Sequence, residues 1–258
     1  MLSRLFTFLA CALLLLSGCS DGKKGAKTFT VGFDADFPPY GYVENGVSKG
    51  LDLDLAREVA RRNGWEIVLK PINWDAKDME LNSGSIDCIW NGFSMNGRET
   101  AYEWSEPYAD NRQVVLVKKG SPIRSLKDLA GKIVAVQTDT PVQKALMKGG
   151  EKEALGKTFK RLIISPNYNN AVMELEAGSV DAVALDSGVA QMKTASSDQF
   201  VQLPEPVMTE QYGIGFRKGN TALRDAVQKT LKEMVADGSA ARISARYFNG
   251  RNVLILKP

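Results

Sequence analysis

Residues 79–90, MELNSGSIDCIW, recur 94 positions later as residues 173–184, MELEAGSVDAVA, with six of twelve positions identical. Each copy reads as a helix end, a Gly-Ser turn and a strand: the helix stops at Gly84 or Gly178, and the strand runs over 86–90 or 180–185. A unit that occurs twice at this distance predicts two similar half-domains. Directly after the two strands stand Asn91-Gly92-Phe93-Ser94 and Asp186-Ser187-Gly188. In open α/β sheets ligands lie beyond the carboxyl ends of the strands, so these two loops are where a ligand is expected.

Working outward, strand-like and helix-like patterns alternate, the signature of an α/β fold. Residues 28–33 and 66–70 read as strands around a helix with Leu51, Leu55 and Val59 at helical spacing behind an Asp52 cap. Residues 114–117, 133–136 and 212–216 read as further strands, with a short helix at 125–129. A last amphipathic helix carries Leu223, Val227, Leu231 and Met234 and ends at Gly238. The chain thus visits a second lobe and returns. Strands near 111–117 and 209–216 are expected to form a two-stranded connection on which the lobes hinge.

Composition narrows the chemistry. Of 258 residues 44% are hydrophobic and 24% charged, an ordinary globular balance. Lys and Arg number 33 against 30 Asp and Glu, and no basic cluster offers a nucleic-acid footprint. Histidine is absent, which removes Ser-His-Asp and Cys-His catalysis and any His-ligated metal. No cofactor and no metal are expected.

Arg4 precedes an almost unbroken apolar run over 5–16, too short to span a bilayer, which reads as an export signal. It ends in Leu16-Ser17-Gly18-Cys19, which resembles the lipobox of bacterial lipoproteins. The resemblance implies removal of residues 1–18, acylation of Cys19 and a polar tether over 19–27; an ordinary signal peptide is the alternative. Cys11 then lies in the removed segment and Cys88 stands alone, inside an apolar run where a buried structural thiol is expected.

Several segments together resemble one family. They are Val31-Gly32-Phe33-Asp34-Ala35-Asp36-Phe37-Pro38-Pro39-Tyr40, Lys49-Gly50-Leu51-Asp52-Leu53-Asp54-Leu55-Ala56, Trp90-Asn91-Gly92-Phe93-Ser94-Met95-Asn96-Gly97-Arg98-Glu99, Trp104-Ser105-Glu106-Pro107-Tyr108 and Gln211-Tyr212-Gly213-Ile214-Gly215-Phe216. In order and spacing they are similar to the periplasmic solute-binding proteins for polar amino acids that feed ABC importers, over essentially all of 28–250. The resemblance implies the type II periplasmic-binding-protein fold: two lobes, each a central sheet flanked by helices, joined by a two-stranded hinge. Lobe 1 would comprise 28–112 and 212–258, and lobe 2 would comprise 113–211.

It also implies roles. Arg98, with Ser94 and the backbone of Asn91 and Gly92, would hold an α-carboxylate, a geometry that suits the guanidinium fork. A solvated Arg98 beside Glu99 is the bland alternative. Asp186 would take the α-ammonium from the opposite lobe, or else only cap the helix behind it. Phe37 and Trp74 match two aromatic positions beside the ligand's side chain, with core packing as the competing reading. Gln137 and Thr138 are polar contacts on the second-lobe loop, where Pro141 departs from the Gly often found; the segment from Gly92 to Arg98 is one residue shorter than in many relatives.

Asp34 is a second carboxylate near the cleft, bonded either to the ligand or to nearby backbone amides. With Asp34 and the neutral Asn91, Gln137 and Thr138, the site favours a free polar or basic L-amino acid such as glutamine or arginine; cystine stays open. A monomer serving a membrane ABC permease is implied. The rivals are a dehydratase acting on cyclohexadienyl acids on the same fold, and the sensor module of a receptor. The latter is disfavoured because such modules continue into a membrane span, whereas eight residues follow Gly250 here.

Overall fold

The computed structural model describes residues 26–258. The leader, Cys19 and the tether up to residue 25 lie outside the described residues. In chain order the first part contains β1 (Thr28–Phe33), β2 (Asp36–Phe37), β3 (Gly41–Glu44), β4 (Val47–Lys49), α1 (Leu51–Asn63), β5 (Glu66–Pro71), α2 (Lys77–Asn82), β6 (Cys88–Ser94), β7 (Glu103–Trp104) and β8 (Ala109–Lys118). Next come β9 (Ile133–Gln137), α3 (Pro141–Leu146), α4 (Glu153–Gly156), β10 (Arg161–Ser165), α5 (Tyr168–Ala177), β11 (Ala182–Asp186), α6 (Ser187–Ser196) and β12 (Phe200–Gln202). The chain closes with β13 (Met208–Phe216), α7 (Thr221–Ala236) and α8 (Ser239–Tyr247). Among the described residues no helix is long and apolar enough to cross a membrane.

The main sheet has the order β10-β9-β11-β8-β13-β6-β1-β5. One half is built on the parallel strands β5, β1 and β6, the other on the parallel strands β10, β9 and β11. They meet at β8 and β13, which pair antiparallel from Ala109 opposite Tyr212 to Gln113 opposite Met208. Beyond that overlap β8 runs on beside β11, and β13 runs on beside β6. The mutual pairing therefore sits slightly earlier in both strands than the sequence pattern placed it, because the later residues already belong to the two halves.

The repeat folds twice in the same way. Gly84 and Gly178 follow their helices with φ near +80°, and the Glu80 and Glu174 carbonyls each accept from the two amides after the glycine. Asp87 bonds Thr30 at the start of β1 through both its amide and its carboxylate, and Asp181 bonds Ile133 at the start of β9 identically. These side-chain bonds occupy the residues before the strand, so β6 and β11 begin two residues later than the apolar pattern suggested.

Apolar periodicity fixes the core. Leu51, Leu55 and Val59 of α1 are buried with Leu223, Val227, Leu231 and Met234 of α7 and Ile243 of α8, at roughly 1.5–3 kcal/mol per large side chain. In the other half Val115, Val117, Val134, Val136, Ala182 and Ala184 form a second core. Asp52 does not cap α1: it lies in the first turn, fully buried, behind Gly50 as the cap residue. Cys88 is a buried free thiol, pushed well up in pKa by burial. Just before β1 the Lys27 carbonyl accepts from the Glu66 amide at 2.9 Å.

Candidate functional site

A cavity with about 320 Å³ of empty space lies where the two halves of the sheet face each other. One wall is the end of β6 and the loop after it. Asn91, Gly92, Ser94 and Arg98 line it, with Asp34, Phe37 and Trp74 beside them. The facing wall is Gln137, Asp139, Thr140 and Pro141 after β9 and Asp186 at the end of β11, and Gln113 of β8 completes the lining. Nine of the ten ligand-binding residues expected from the sequence thus come together here.

Thr138 is the exception. Its amide donates to the Ser165 carbonyl at 2.9 Å, and the left-handed turn at Asp139 (φ 48°) swings the following residues toward the cavity instead. Asp139, Thr140 and Pro141 take the place expected for it. Asp139 accepts this conformation more readily than most side-chain-bearing residues do.

Arg98 is buried rather than solvated. Its Nη1 donates to the Ser94 carbonyl at 3.1 Å, its Nη2 donates to the Asp139 carbonyl, and the guanidinium lies 4.9 Å from the Phe93 ring centroid. Neighbouring Glu99 turns to the Gly97 amide instead. Asp139 also contacts Lys77 and Lys144; burial would raise its carboxyl, but these two ammonium groups and Arg98 hold it near 2.

Asp34 splits its two oxygens. Oδ1 accepts from the Asp36 amide at 2.9 Å, a local turn bond, while Oδ2 accepts from Gln137 Nε2 at 2.8 Å across the cavity. Burial raises its pKa. Its amide donates to Asn91 Oδ1, so the Asn91 side chain orients the neighbouring acid. Phe37 packs 5.8 Å from Tyr168 and 5.5 Å from Tyr40, and Trp74 lies edge-on to Phe93, so each ring both lines the cavity and belongs to an aromatic cluster.

Asp186 makes no capping bond to α6. Its carboxylate accepts from Asn111 Nδ2 and from Tyr168 Oη, both at 2.6 Å, and from Tyr212 Oη. Burial raises its pKa. Directly behind is Glu210 of β13, which the sequence reading missed. It accepts from Asn111 at 2.6 Å and Gln113 at 2.7 Å, and burial next to Asp186 pushes it up to about 8. On the floor, Asp52 accepts from the Gly92 amide at 2.6 Å and from Tyr108 at 2.7 Å, and burial pushes it up to about 7.

The wall residues thus offer a guanidinium on one side and carboxylates on the other, the groups that complement a zwitterion. The sequence profile of the bacterial extracellular solute-binding proteins, family 3, matches residues 29–250. A probable histidine-binding protein of Neisseria gonorrhoeae is 31% identical, with 93% of each chain covered. The arginine-binding extracellular protein ArtP of Bacillus subtilis is 30% identical, covering 93% of this chain and 95% of its own. Among solved structures, an ABC uptake transporter substrate-binding protein from Streptococcus pneumoniae with bound histidine superposes with a TM-score of 0.81 at 28% identity, covering 89% of this chain and 95% of the other. The architecture is accordingly the two-lobed type II periplasmic-binding-protein fold.

Proposed function

The chain belongs to the bacterial extracellular solute-binding proteins, family 3, and on that premise we propose that it is a receptor for a free polar or basic L-amino acid, which it passes to a membrane ABC permease. The observation that carries this reading is the pairing of Arg98 and Asp186 on opposite walls of one cavity. Arg98 is the partner for the α-carboxylate, through charge-assisted bonds of roughly 1.5–3 kcal/mol each. Asp186, with the Gln113 carbonyl oxygen beside it, is the partner for the α-ammonium. Because the two partners come from different halves of the sheet, a bound amino acid bridges them and favours closure about β8 and β13.

Side-chain preference follows from charge. Besides Asp186 the lining carries Asp34, whose Oδ2 faces Gln137 across the cavity while Oδ1 holds the Asp36 amide, and Phe37 and Trp74 supply flat apolar surface. A guanidinium, imidazole or amide satisfies Asp34 and lies against a ring, whereas a second carboxylate meets like charge. Relatives of this similarity are named as binding proteins, and the chain is a binding protein rather than a dehydratase.

A thermal-shift panel of the twenty amino acids plus cystine tests the reading, since a ligand of the native state raises the melting temperature by mass action. Arginine, histidine or glutamine is expected to give the largest rise. A larger rise with glutamate or leucine than with every nitrogen-bearing side chain overturns the preference. Acylation of Cys19 belongs to the same proposal: the mature protein should carry a lipid mass increment and partition into detergent, and Cys19→Ser should do neither.

A further inference from the structure

Asp186 and Glu210 are two buried acids joined through one amide. Asn111 Nδ2 donates to Asp186 Oδ1 and to Glu210 Oε1, each at 2.6 Å, which brings one oxygen of each acid onto the same donor. Both residues are 3% exposed. Among the described residues no lysine or arginine nitrogen lies within salt-bridge distance of either. Two buried acceptors in this cluster have no donor: Glu210 Oε2 and Gln113 Oε1, the latter on the cavity wall.

The groups around the pair do not supply a compensating charge. Tyr168 on α5, Tyr212 on β13 and Tyr40 before β3 are kept neutral by burial. Asn111, Gln113 and the Ser94 hydroxyl are neutral, Asp34 on the cavity wall is a further acid, and the guanidinium of Arg98 is turned to the Ser94 and Asp139 carbonyls. Two neighbouring carboxylates in such a site do not both ionise without a cation.

We propose that Asp186 and Glu210 hold one proton between them in the empty site and release it to solvent when a ligand's ammonium group enters. The proposal rests on the amino-acid receptor reading and adds its regulation. The ammonium brings one positive charge and the pair loses one proton, so the charge of the site is conserved. The orphaned oxygen of Gln113, on the cavity wall, then gains a donor. Glu210 stands directly opposite Asn111 in the β8–β13 pairing, so the exchange takes place on the strands that join the halves. Affinity should rise with pH, by up to about tenfold per unit, over the range in which the empty pair still holds its proton and the ligand's ammonium keeps its own.

The test combines calorimetry with infrared spectroscopy on wild type and Glu210→Gln, after matching melting curves have shown that the variant folds. Titration with L-arginine or L-glutamine at pH 7, in phosphate and in Tris, should give heats that differ by the release of nearly one proton in wild type and agree in the variant. Ligand-free wild type should show, beyond the band of half-protonated Asp52, a further protonated-carboxyl band at pH 7 that is missing from Glu210→Gln and disappears on adding ligand. Equal heats in both buffers, or no such band, overturn the proposal. If the band is present and none of the amino acids binds, the receptor reading falls and the shared proton stands.

Discussion

Lys77 and Asp139 meet across the cleft as an ion pair, one from α2 beside β6 and the other from the turn after β9. The Lys77 side chain is only 2% exposed, and its Nζ lies 5.3 Å from the centroid of the Trp74 ring while bonding Asp139. A lysine so deeply buried has that partner only while the halves are together. Lys144 approaches the other Asp139 oxygen at 2.8 Å from the same half as the acid, so the charge of Asp139 is anchored independently of Lys77.

Lys77→Met should therefore leave the fold intact and shorten the life of the closed complex. Binding is expected to weaken about tenfold, roughly 1.4 kcal/mol, with nearly all of the change in the dissociation rate. Stopped-flow release of ligand checks this. An unchanged rate would assign the pair no part in closure.

Arg98→Ala should abolish amino-acid binding at millimolar ligand, and Arg98→Lys should recover only a small part, because an ammonium cannot reproduce the fork on a carboxylate. The expected loss is on the order of 3 kcal/mol or more. Isothermal titration decides it, and affinity within tenfold of wild type would take Arg98 out of the site.

Asp52 makes a prediction about pH. Its carboxyl ionises near 3.8 unperturbed and near 7 in the fold, where burial outweighs its bonds to Tyr108 and Gly92. A carboxyl raised on folding contributes stability that is complete below about pH 4 and is lost as pH rises through about 7. Asp52→Asn keeps an acceptor for the Gly92 amide and removes the titration. It should melt higher than wild type at pH 8, by on the order of 1–3 kcal/mol, with the advantage vanishing toward pH 4. Parallel melting curves across that range would reject the assignment.

Gly92→Ala should be costly in both stability and affinity. The residue has φ 53°, and a Cβ there would stand 2.6 Å from the Phe37 ring and 3.1 Å from Tyr212. Phe37, which lines the cavity, would have to move. A loss of about 1–3 kcal/mol in urea denaturation is expected, together with weaker binding. Wild-type behaviour in both measurements would mean that this wall adapts.

The sequence made legible what depends on periodicity and on repeated local chemistry. The doubled motif places Asp87 and Asp181 in the same bonds, and the apolar spacing of α1 and α7 marks the faces they bury. What it hid depends on side chains that leave their own neighbourhood. Asp52 has the look of a cap at a helix start, yet its nearest donors are the Gly92 amide and the Tyr108 hydroxyl, tens of residues away. Asp186 likewise precedes a helix and bonds Tyr168, Tyr212 and Asn111 instead of its amides. Glu210 alternates with exposed residues of β13 and carries no local mark of burial; only its pairing with Asn111 reveals it. The turn at Asp139 depends on one positive φ, which shifted the contact from Thr138 to its successors.

The path of the chain through the sheet has a consequence for synthesis. Strands β8 to β11 are contiguous in sequence, so the half they build has all its principal strands by residue 186. The other half is begun first and completed last: β6 waits for β13, and α1 waits for α7 and α8 to cover Leu51, Leu55 and Val59. A chain emerging from its amino terminus therefore carries the apolar side of α1 unsheltered until its final forty residues arrive. Its later-made half becomes protected first, and truncation before α7 should leave the earlier-made half open to protease while sparing the segment from β8 to β11.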